Sequence, residues 1–288
     1  MFSFLDVSRS ENHDVIISYR KPKILKLIGE GASIVVGGAQ MVRDFNVPNW
    51  FHVPHFRTGK YPTVMIQGVL GPKFISNTSQ RIHRENGIDC VNIGPTLNIG
   101  PLITSIDDLV SDLERLFEES GGEKITIDAH SLGGIYAIYL AEHFPHMVKN
   151  LILRGVPCEA SAKELRKITH LSVLHDAMKL IHWKFHSEFI DNWKPMSEKP
   201  PLQMPVFVMV ARNDGVIDPH SCFMPKNKNT KHAILECTHF DLIAKEAINQ
   251  YASAVVKHGI EVAPPSCVEP LLVPDTHHLH SFTFAWAS

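Results

Sequence analysis

The sequence predicts an α/β fold with a doubly wound, mostly parallel sheet and a helical insertion. Short apolar runs alternate with amphipathic segments from about residue 62 onward, and Gly, Pro or Asn lies close to the runs. Buried parallel strands have this pattern. When such strands alternate with helices, the helices cover both faces of the sheet. The predicted strands are residues 63–66, 90–93, 124–128, 150–153, 206–210 and 233–237.

Three helices are predicted between these strands. The clearest spans residues 105–120, and its apolar side chains recur on one face. Ser105 and Asp108 have the pattern of a capping box at its start, and Gly121 is a natural stop after its end. The other two predicted helices follow the third and the last strand, at residues 132–143 and 240–258.

One long stretch breaks the alternation and divides the domain. Residues 158–204 separate two strands by far more than the usual short connection, and they contain helical patterns at 161–168 and 171–181. An insertion of this length predicts a cap over the site, and the alternative is an extra packing layer with no gating role. The predicted organisation is an extension that packs on the core, a domain and a tail, at residues 1–60, 61–258 and 259–288.

Composition excludes several classes of partner. The formal net charge of −2 gives no reason to expect nucleic acid or an anionic membrane surface. No apolar run approaches the roughly 20 residues that span a bilayer, and the first residues do not have the pattern of a secretory signal.

Within the extension, residues 24–36 form an amphipathic segment that either packs on the sheet or contacts a membrane or partner. Oligomeric state is not predicted.

The cysteines and histidines do not predict a metal or a cofactor. Five cysteines at irregular spacing favour free thiols in the cytoplasm, with a bridge between Cys222 and Cys237 as the alternative. The 18 histidines form no known metal-ligand spacing. The histidines near the C-terminus are expected to belong to an irregular tail.

The strongest motif lies between the third predicted strand and its helix. Its sequence is Asp-Ala-His-Ser-Leu-Gly-Gly, residues 128–134. A serine in a sharp strand-to-helix turn is the nucleophile elbow of the α/β-hydrolase fold, so Ser131 is the predicted nucleophile. Gly133 supplies the small residue that the turn needs, and Ala129 stands where glycine is more common. The alternative is a closely packed turn in which Ser131 only caps the helix.

A serine nucleophile needs a general base and a carboxylate that orients the base. In this fold the chain order is serine, acid and then histidine. Asp214 follows one predicted strand, and His239 follows the next. Because functional loops lie at the carboxyl ends of parallel strands, we expect Asp214 and His239 to meet above Ser131.

Other residues compete for these two roles. Asp218 is the rival carboxylate, although it is also suited to cap the segment after Pro219. His232 begins the last predicted strand, and His220 lies in a loop. His130 neighbours the nucleophile in sequence, but its side chain is expected to point away from the serine hydroxyl.

Acyl transfer also needs donors for the tetrahedral oxyanion. One predicted donor is the backbone N–H of Leu132, directly after the nucleophile. The second is the N–H of Val69, in the loop that follows the first predicted strand. Gly68 permits the turn there, and Gln67 stands where many hydrolases have histidine. The alternative is an ordinary glycine-rich turn.

The sequence between Val64 and about Val256 resembles the bacterial lipase-like α/β-hydrolases related to the GPI-inositol-deacylase group. The matching segments are VMIQGVLG, NIGPTLNIGP, AHSLGGIYAIYLAEHFP, LILRGVP, VARNDGVIDPHSC and CTHFDLI. The resemblance implies a triad of Ser131, Asp214 and His239, with Val69 and Leu132 as oxyanion donors.

These observations predict a serine hydrolase that cleaves carboxylic esters through an acyl-enzyme. Apolar residues in the insertion suit a small-molecule or lipid ester. The alternatives are an acyltransferase or thioesterase that uses the same triad, and a non-catalytic binding protein of the same fold.

Overall fold

The computed structural model describes residues 54–68, 76–93, 102–165 and 192–262, and the backbone alone of residues 5–9, 15–19 and 102–105. Its strands are β1 (Leu5–Arg9), β2 (Val15–Tyr19), β3 (Thr63–Ile66), β4 (Cys90–Asn92), β5 (Ile125–His130), β6 (Val148–Arg154), β7 (Val206–Ala211) and β8 (Thr230–Leu235). Its helices are α1 (Asn77–Glu85), α2 (Leu102–Glu119), α3 (Gly133–His143), α4 (Asp241–Ala244) and α5 (Glu246–His258). Short 3₁₀ helices span Met196–Glu198 and Pro219–Cys222.

Six of the strands form one parallel sheet in the order β4-β3-β5-β6-β7-β8. The chain runs from β3 out to the edge strand β4 and then returns to β5 on the other side of β3. The carboxyl ends of β3 and β5 therefore border the switch point of the sheet, where open α/β sheets place their sites. This is the α/β-hydrolase architecture predicted from the sequence.

Both faces of the sheet are covered by helices. Along β7, Val206 and its alternate neighbours pack into one apolar cluster with α2 and α3, whereas Phe207 and its alternate neighbours pack into a second cluster with α5. Adjacent strand residues point to opposite faces. The all-apolar strand predicted here is therefore buried from both sides, as expected for a doubly wound sheet.

Several predicted boundaries were wrong. Helix α2 begins at Leu102, directly after Pro101, so Ser105 lies inside the helix and does not cap it. The last predicted helix is two helices, because Lys245 between them has extended dihedral angles. Gly121, with a φ of 73°, does end α2 as predicted.

The strand predicted at residues 233–237 lies at 230–235. Its first three residues are Thr230, Lys231 and His232, and they pair with β7. β8 is an edge strand with a partly exposed face, so polar side chains are tolerated there and the apolar run marked only its second half.

Three of the described strands and α-helices were not predicted. β1 and β2 form an antiparallel pair within the predicted extension. Helix α1 buries polar side chains such as Ser79 and His83, so it lacks the apolar periodicity that predicts a helix. The amphipathic segment 24–36, the second cap helix at 171–181 and the tail after residue 262 lie outside the described residues. The first cap helix is helical over its described part, residues 162–165.

Candidate active site

Ser131 occupies a strained turn at the carboxyl end of β5. Its φ is 55°, in the left-handed region that residues with a side chain rarely adopt. Its backbone N–H donates to the carbonyl of Arg154 on β6, at 2.9 Å. A Cβ atom on Gly133 would lie 2.5 Å from the carbonyl oxygen of Ile66, so only glycine fits at that position. The strain and the glycine are those that the elbow motif predicts.

The loop after β3 lies against Ser131. A Cβ atom on Gly68 would be 2.8 Å from the Cβ and 3.3 Å from the Oγ atom of Ser131. Leu132 lies at the amino end of α3, where the first backbone N–H groups have no acceptor within the helix. Val69 lies outside the described residues, so its predicted role as oxyanion donor is not tested by the structure.

Asp214 and His239 form a buried pair. The Nδ1 atom of His239 lies 2.6 Å from the Oδ2 atom of Asp214, and the side chains are 2% and 1% exposed. The other oxygen of Asp214 accepts backbone N–H groups from Val216 and Ile217, at 2.8 and 2.7 Å. A carboxylate that accepts at Nδ1 leaves the Nε2 atom of the neutral imidazole as the proton acceptor. This is the tautomer that a general base requires.

The peptide between Arg154 and Gly155 contacts both the Ser131 turn and this pair. Its carbonyl accepts the N–H of Ser131. A Cβ atom on Gly155 would lie 3.0 Å from the Nδ1 atom of His239, and the φ of Gly155 is 58°. The imidazole therefore packs against the end of β6, which also hydrogen-bonds the backbone of the Ser131 turn.

The competing residues occupy other places. Asp218 is exposed and accepts the backbone N–H of His220 at 3.0 Å, so it caps the turn after Pro219. His220 is exposed. His232 lies in β8, where its Nε2 atom accepts the N–H of Met224, and burial lowers its pKa to about 4. His130 is buried against His239.

A buried charge pair lies beneath the Ser131 turn, and it was not predicted from the sequence. Asp128 is 1% exposed and Arg154 is fully buried. The Arg154 guanidinium forms two hydrogen bonds to Asp128, one of them at 2.7 Å. His83 on α1 contacts the same carboxylate at 2.9 Å. Burial raises the pKa of Asp128, but the charge of Arg154 and the hydrogen bonds from His83 and Arg154 outweigh burial and lower it.

The same arginine also contacts the segment that follows His239. Its Nη1 atom donates to the carbonyl of Leu242, three residues after His239, at 2.8 Å, and to Asn249 on α5 at 2.6 Å. A charged residue inside an apolar strand is a sequence signal for such a network, because a buried charge requires a partner. Asp128 in β5 and Arg154 in β6 both carry that signal.

Hydrogen bonds join the two ends of the insertion. The N–H of Met196 donates to the carbonyl of Cys158 at 3.0 Å, and the indole N–H of Trp193 donates to the carbonyl of Ala160 at 3.1 Å. The N–H of Glu159 in turn donates to the carbonyl of Ser221, in the turn that follows Asp214, at 2.8 Å. The predicted cap therefore begins and ends beside the loop that carries Asp214.

The described cysteines are buried and free, so the bridge between Cys222 and Cys237 is not formed. Burial and the neighbouring Asp214 charge raise the pKa of the Cys222 thiol well above its usual value. Within the described part of the chain, no cluster of three or more His, Cys, Asp and Glu side chains could hold a metal ion. None of the described helices is long and apolar enough to span a membrane.

Comparisons with known proteins agree with this architecture. A family model described as the alpha/beta hydrolase fold matches residues 79–184. The chain is similar to the structure of an α/β-hydrolase enzyme from a sediment metagenome of the Mar Chica lagoon in Morocco. The TM-score is 0.52 at 19% identity, covering 69% of this chain and 91% of that one. It is also similar to an esterase of Pyrococcus furiosus, with a TM-score of 0.51 at 11% identity, covering 90% of this chain and 91% of that one.

Among curated proteins, Epoxide hydrolase 1 of Caenorhabditis elegans is 37% identical over 60 residues. This match covers 21% of the chain and 15% of that relative, so it concerns a small part of both proteins. The resemblance to the GPI-inositol-deacylase group finds no support among these proteins. The sheet order, the serine turn and the structural likenesses agree, and the chain has the α/β-hydrolase fold.

Proposed function

We propose that the chain is a serine hydrolase that cleaves carboxylic esters through an acyl-enzyme. The observation that carries this proposal is the buried hydrogen bond between His239 and Asp214, with the strained Ser131 turn after β5, which β6 alone separates from the strand before Asp214. A histidine held through Nδ1 by a buried carboxylate is oriented to act through Nε2. A strained serine at the carboxyl edge of the sheet is placed to act as a nucleophile.

In the proposed first step, the Oγ atom of Ser131 attacks the ester carbonyl carbon. His239 takes the hydroxyl proton at Nε2, and Asp214 stabilises the imidazolium that forms. The oxyanion accepts hydrogen bonds from the backbone N–H groups of Leu132 and Val69. The carbon–oxygen bond of the ester then breaks, and the departing alcohol takes the proton from His239.

The second step repeats this chemistry with water. Water loses a proton to His239 and attacks the acyl carbon, and the acid leaves as Ser131 regains its proton. No cofactor takes part in either step. The Pyrococcus furiosus structural neighbour is an esterase, which agrees with this chemistry. The proposed substrates are small-molecule or lipid esters, and the free buried thiols suit a cytoplasmic setting.

The match to an epoxide hydrolase does not favour epoxide opening by this site. Attack by a serine oxygen on an epoxide carbon would leave an ether on Ser131. An ether has no carbonyl at which an oxyanion could form, so the acyl-enzyme route could not release it. Ester cleavage is the chemistry that a serine at this turn completes.

The experiment is hydrolysis of p-nitrophenyl esters from acetate to laurate by the purified protein, with Ser131→Ala as the matched control. We expect saturable hydrolysis that falls at least about 10³-fold in the variant. Equal rates in both proteins, or no hydrolysis at any chain length, would contradict the proposal. Added alcohols or thiols that divert the acyl group into new esters or thioesters would identify acyl transfer with the same triad.

A further inference from the structure

His130 is the last residue of β5 and precedes the nucleophile. Its side chain is 5% exposed, and its contacts lie on the loop that carries the base. The Nε2 atom of His130 lies 3.2 Å from the backbone carbonyl oxygen of His239. The two imidazole rings have centroids 4.6 Å apart, with an angle of 45° between their planes. The residue before the nucleophile thus contacts both the backbone and the ring of the base.

The hydrogen bond determines the tautomer of His130. A backbone carbonyl accepts hydrogen bonds but cannot donate them, so the Nε2 atom must carry the proton. The Nδ1 atom of a neutral His130 then carries the lone pair. The tautomer follows from the carbonyl group, because a ring nitrogen by itself could be either a donor or an acceptor.

The surroundings keep His130 neutral. Burial lowers its pKa well below 6.5, and the charges of His239 and Arg154 lower it further. The hydrogen bond to the His239 carbonyl and the charge of Asp128 act in the opposite direction and are outweighed. A neutral neighbour does not repel the imidazolium that His239 becomes when it takes a proton from the nucleophile.

Two of the contacts of His239 therefore act on different parts of the residue. Asp214 holds the ring through Nδ1, and His130 holds the backbone from which the ring projects. A hydrogen bond at the backbone places the whole ring, because the Cα position decides where Nε2 can reach. Displacement of a reacting group by about 1 Å costs as much as 10²-fold in rate.

We propose that His130 is a positioning residue for the base, donating its Nε2–H to the backbone carbonyl of His239 and thereby placing the imidazole for proton transfer with Ser131. The expected effect of this positioning on kcat rests on the proposed function, whereas the hydrogen bond and its effect on the position of His239 do not. This role differs from that of Asp214, which contacts the ring itself.

Two substitutions of similar size test separately the effect of the hydrogen-bond donor and the effect of the ring of His130. His130→Gln keeps an N–H donor about as far from the backbone as Nε2, but it removes the ring. His130→Phe keeps a ring and removes the donor. We expect kcat for ester hydrolysis to stay within about 3-fold of the unaltered protein in the glutamine variant. In the phenylalanine variant we expect a fall of about 10-fold or more, with KM nearly unchanged.

His232→Gln is the matched control, since His232 also hydrogen-bonds a backbone group and lies outside the site. It is expected to leave kcat unchanged. Retention of kcat by His130→Phe, or equal losses in both His130 variants, would overturn the proposal. Circular dichroism of each variant establishes that the protein is folded.

A second readout does not require turnover. The proton between His239 Nδ1 and Asp214 is expected as a low-field NMR signal, which His239→Ala assigns. This signal should persist in His130→Gln and broaden or shift in His130→Phe. An unchanged signal in both variants would contradict the positioning role whether or not esters are hydrolysed. Ester hydrolysis by the unaltered protein separately tests the proposed function.

Discussion

His239 and Asp214 are 25 residues apart in sequence, and their side chains meet at 2.6 Å in a buried hydrogen bond. The strands that precede them, β7 and β8, are neighbours in the sheet. Parallel pairing brings the carboxyl ends of the two strands to one edge. The pair is therefore a direct consequence of strand order, and the Ser131 turn lies at the same end of the parallel strands.

Replacement of Asp214 by asparagine should abolish most of the activity while the protein remains folded. An amide can donate to Nδ1 and so favour the wrong tautomer of His239. We expect kcat to fall by about 10⁴-fold, as it does when a triad carboxylate becomes an amide elsewhere. Asp218→Asn is the matched control, because Asp218 only caps a turn, and its kcat should change little. Similar losses in both variants would show that Asp214 has no special role.

Gly155→Ala should impair the base as well as the fold. The new Cβ atom would lie 3.0 Å from Nδ1 of His239 and 2.9 Å from a methyl group of Leu242. Gly87→Ala is the matched control, since Gly87 also has a positive φ, 75°, but open space around its Cα atom. Both variants should lose roughly 1–2 kcal/mol of unfolding free energy from backbone strain. Only the Gly155 variant should also lose about 10-fold or more in kcat.

Asp128 and Arg154 should show strong energetic coupling. Removal of either partner leaves an uncompensated buried charge, so Asp128→Leu and Arg154→Met should each cost about 3–5 kcal/mol of unfolding free energy. The double variant should be less destabilised than the sum of the two single changes. Urea denaturation of all four proteins measures this coupling. Additive losses would show that the pair contributes no mutual interaction.

Stability should fall as the pH decreases below about 6.5. His130 has a lowered pKa for the reasons given above, and burial lowers the pKa of His83, with the charge of Arg154 adding to burial and Asp128 opposing it. Between the usual value near 6.5 and these lowered values, the unfolded chain binds protons that the folded chain does not bind. The stability contributed by the neutral rings is thus complete above about 6.5 and is lost below it.

His130→Gln tests this pH dependence. The unfolding free energy should depend less steeply on pH between 6.5 and 5, with the difference in slope approaching about 1.4 kcal/mol per pH unit near pH 5, because one titrating ring has been removed. His258→Gln alters an exposed ring and serves as the comparison variant. If His130→Gln leaves the slope unchanged, His130 does not remain neutral in the folded protein over that range.

The sequence predicted the elements that depend on local pattern and chain order. Apolar runs located β3 and β7, and the motif around Ser131 located the strand-to-helix turn. Asp214 and His239 were found because each follows a predicted strand. Their distance and their hydrogen bond required the structure, since no local pattern reports which neighbouring loops meet.

The sequence did not predict features that depend on tertiary partners. Helix α1 buries polar residues against α5, as in the hydrogen bond between Ser79 and Asn249, and so has no apolar stripe. Asp128 on β5 hydrogen-bonds Arg154 on β6 and His83 on α1, and these elements are separate in sequence. The contact between His130 and the His239 backbone likewise joins residues 109 positions apart. Such contacts arise only when the sheet has assembled.

The central claim is that Ser131 is an activated nucleophile. Its most direct test is treatment of the protein with a fluorophosphonate probe, followed by intact-mass measurement and peptide mapping, with Ser131→Ala alongside. We predict one adduct for each chain, located on Ser131 and absent from the variant. An adduct on another residue, or no adduct on folded protein that the probe can enter, would contradict the claim and favour a binding protein of the same fold.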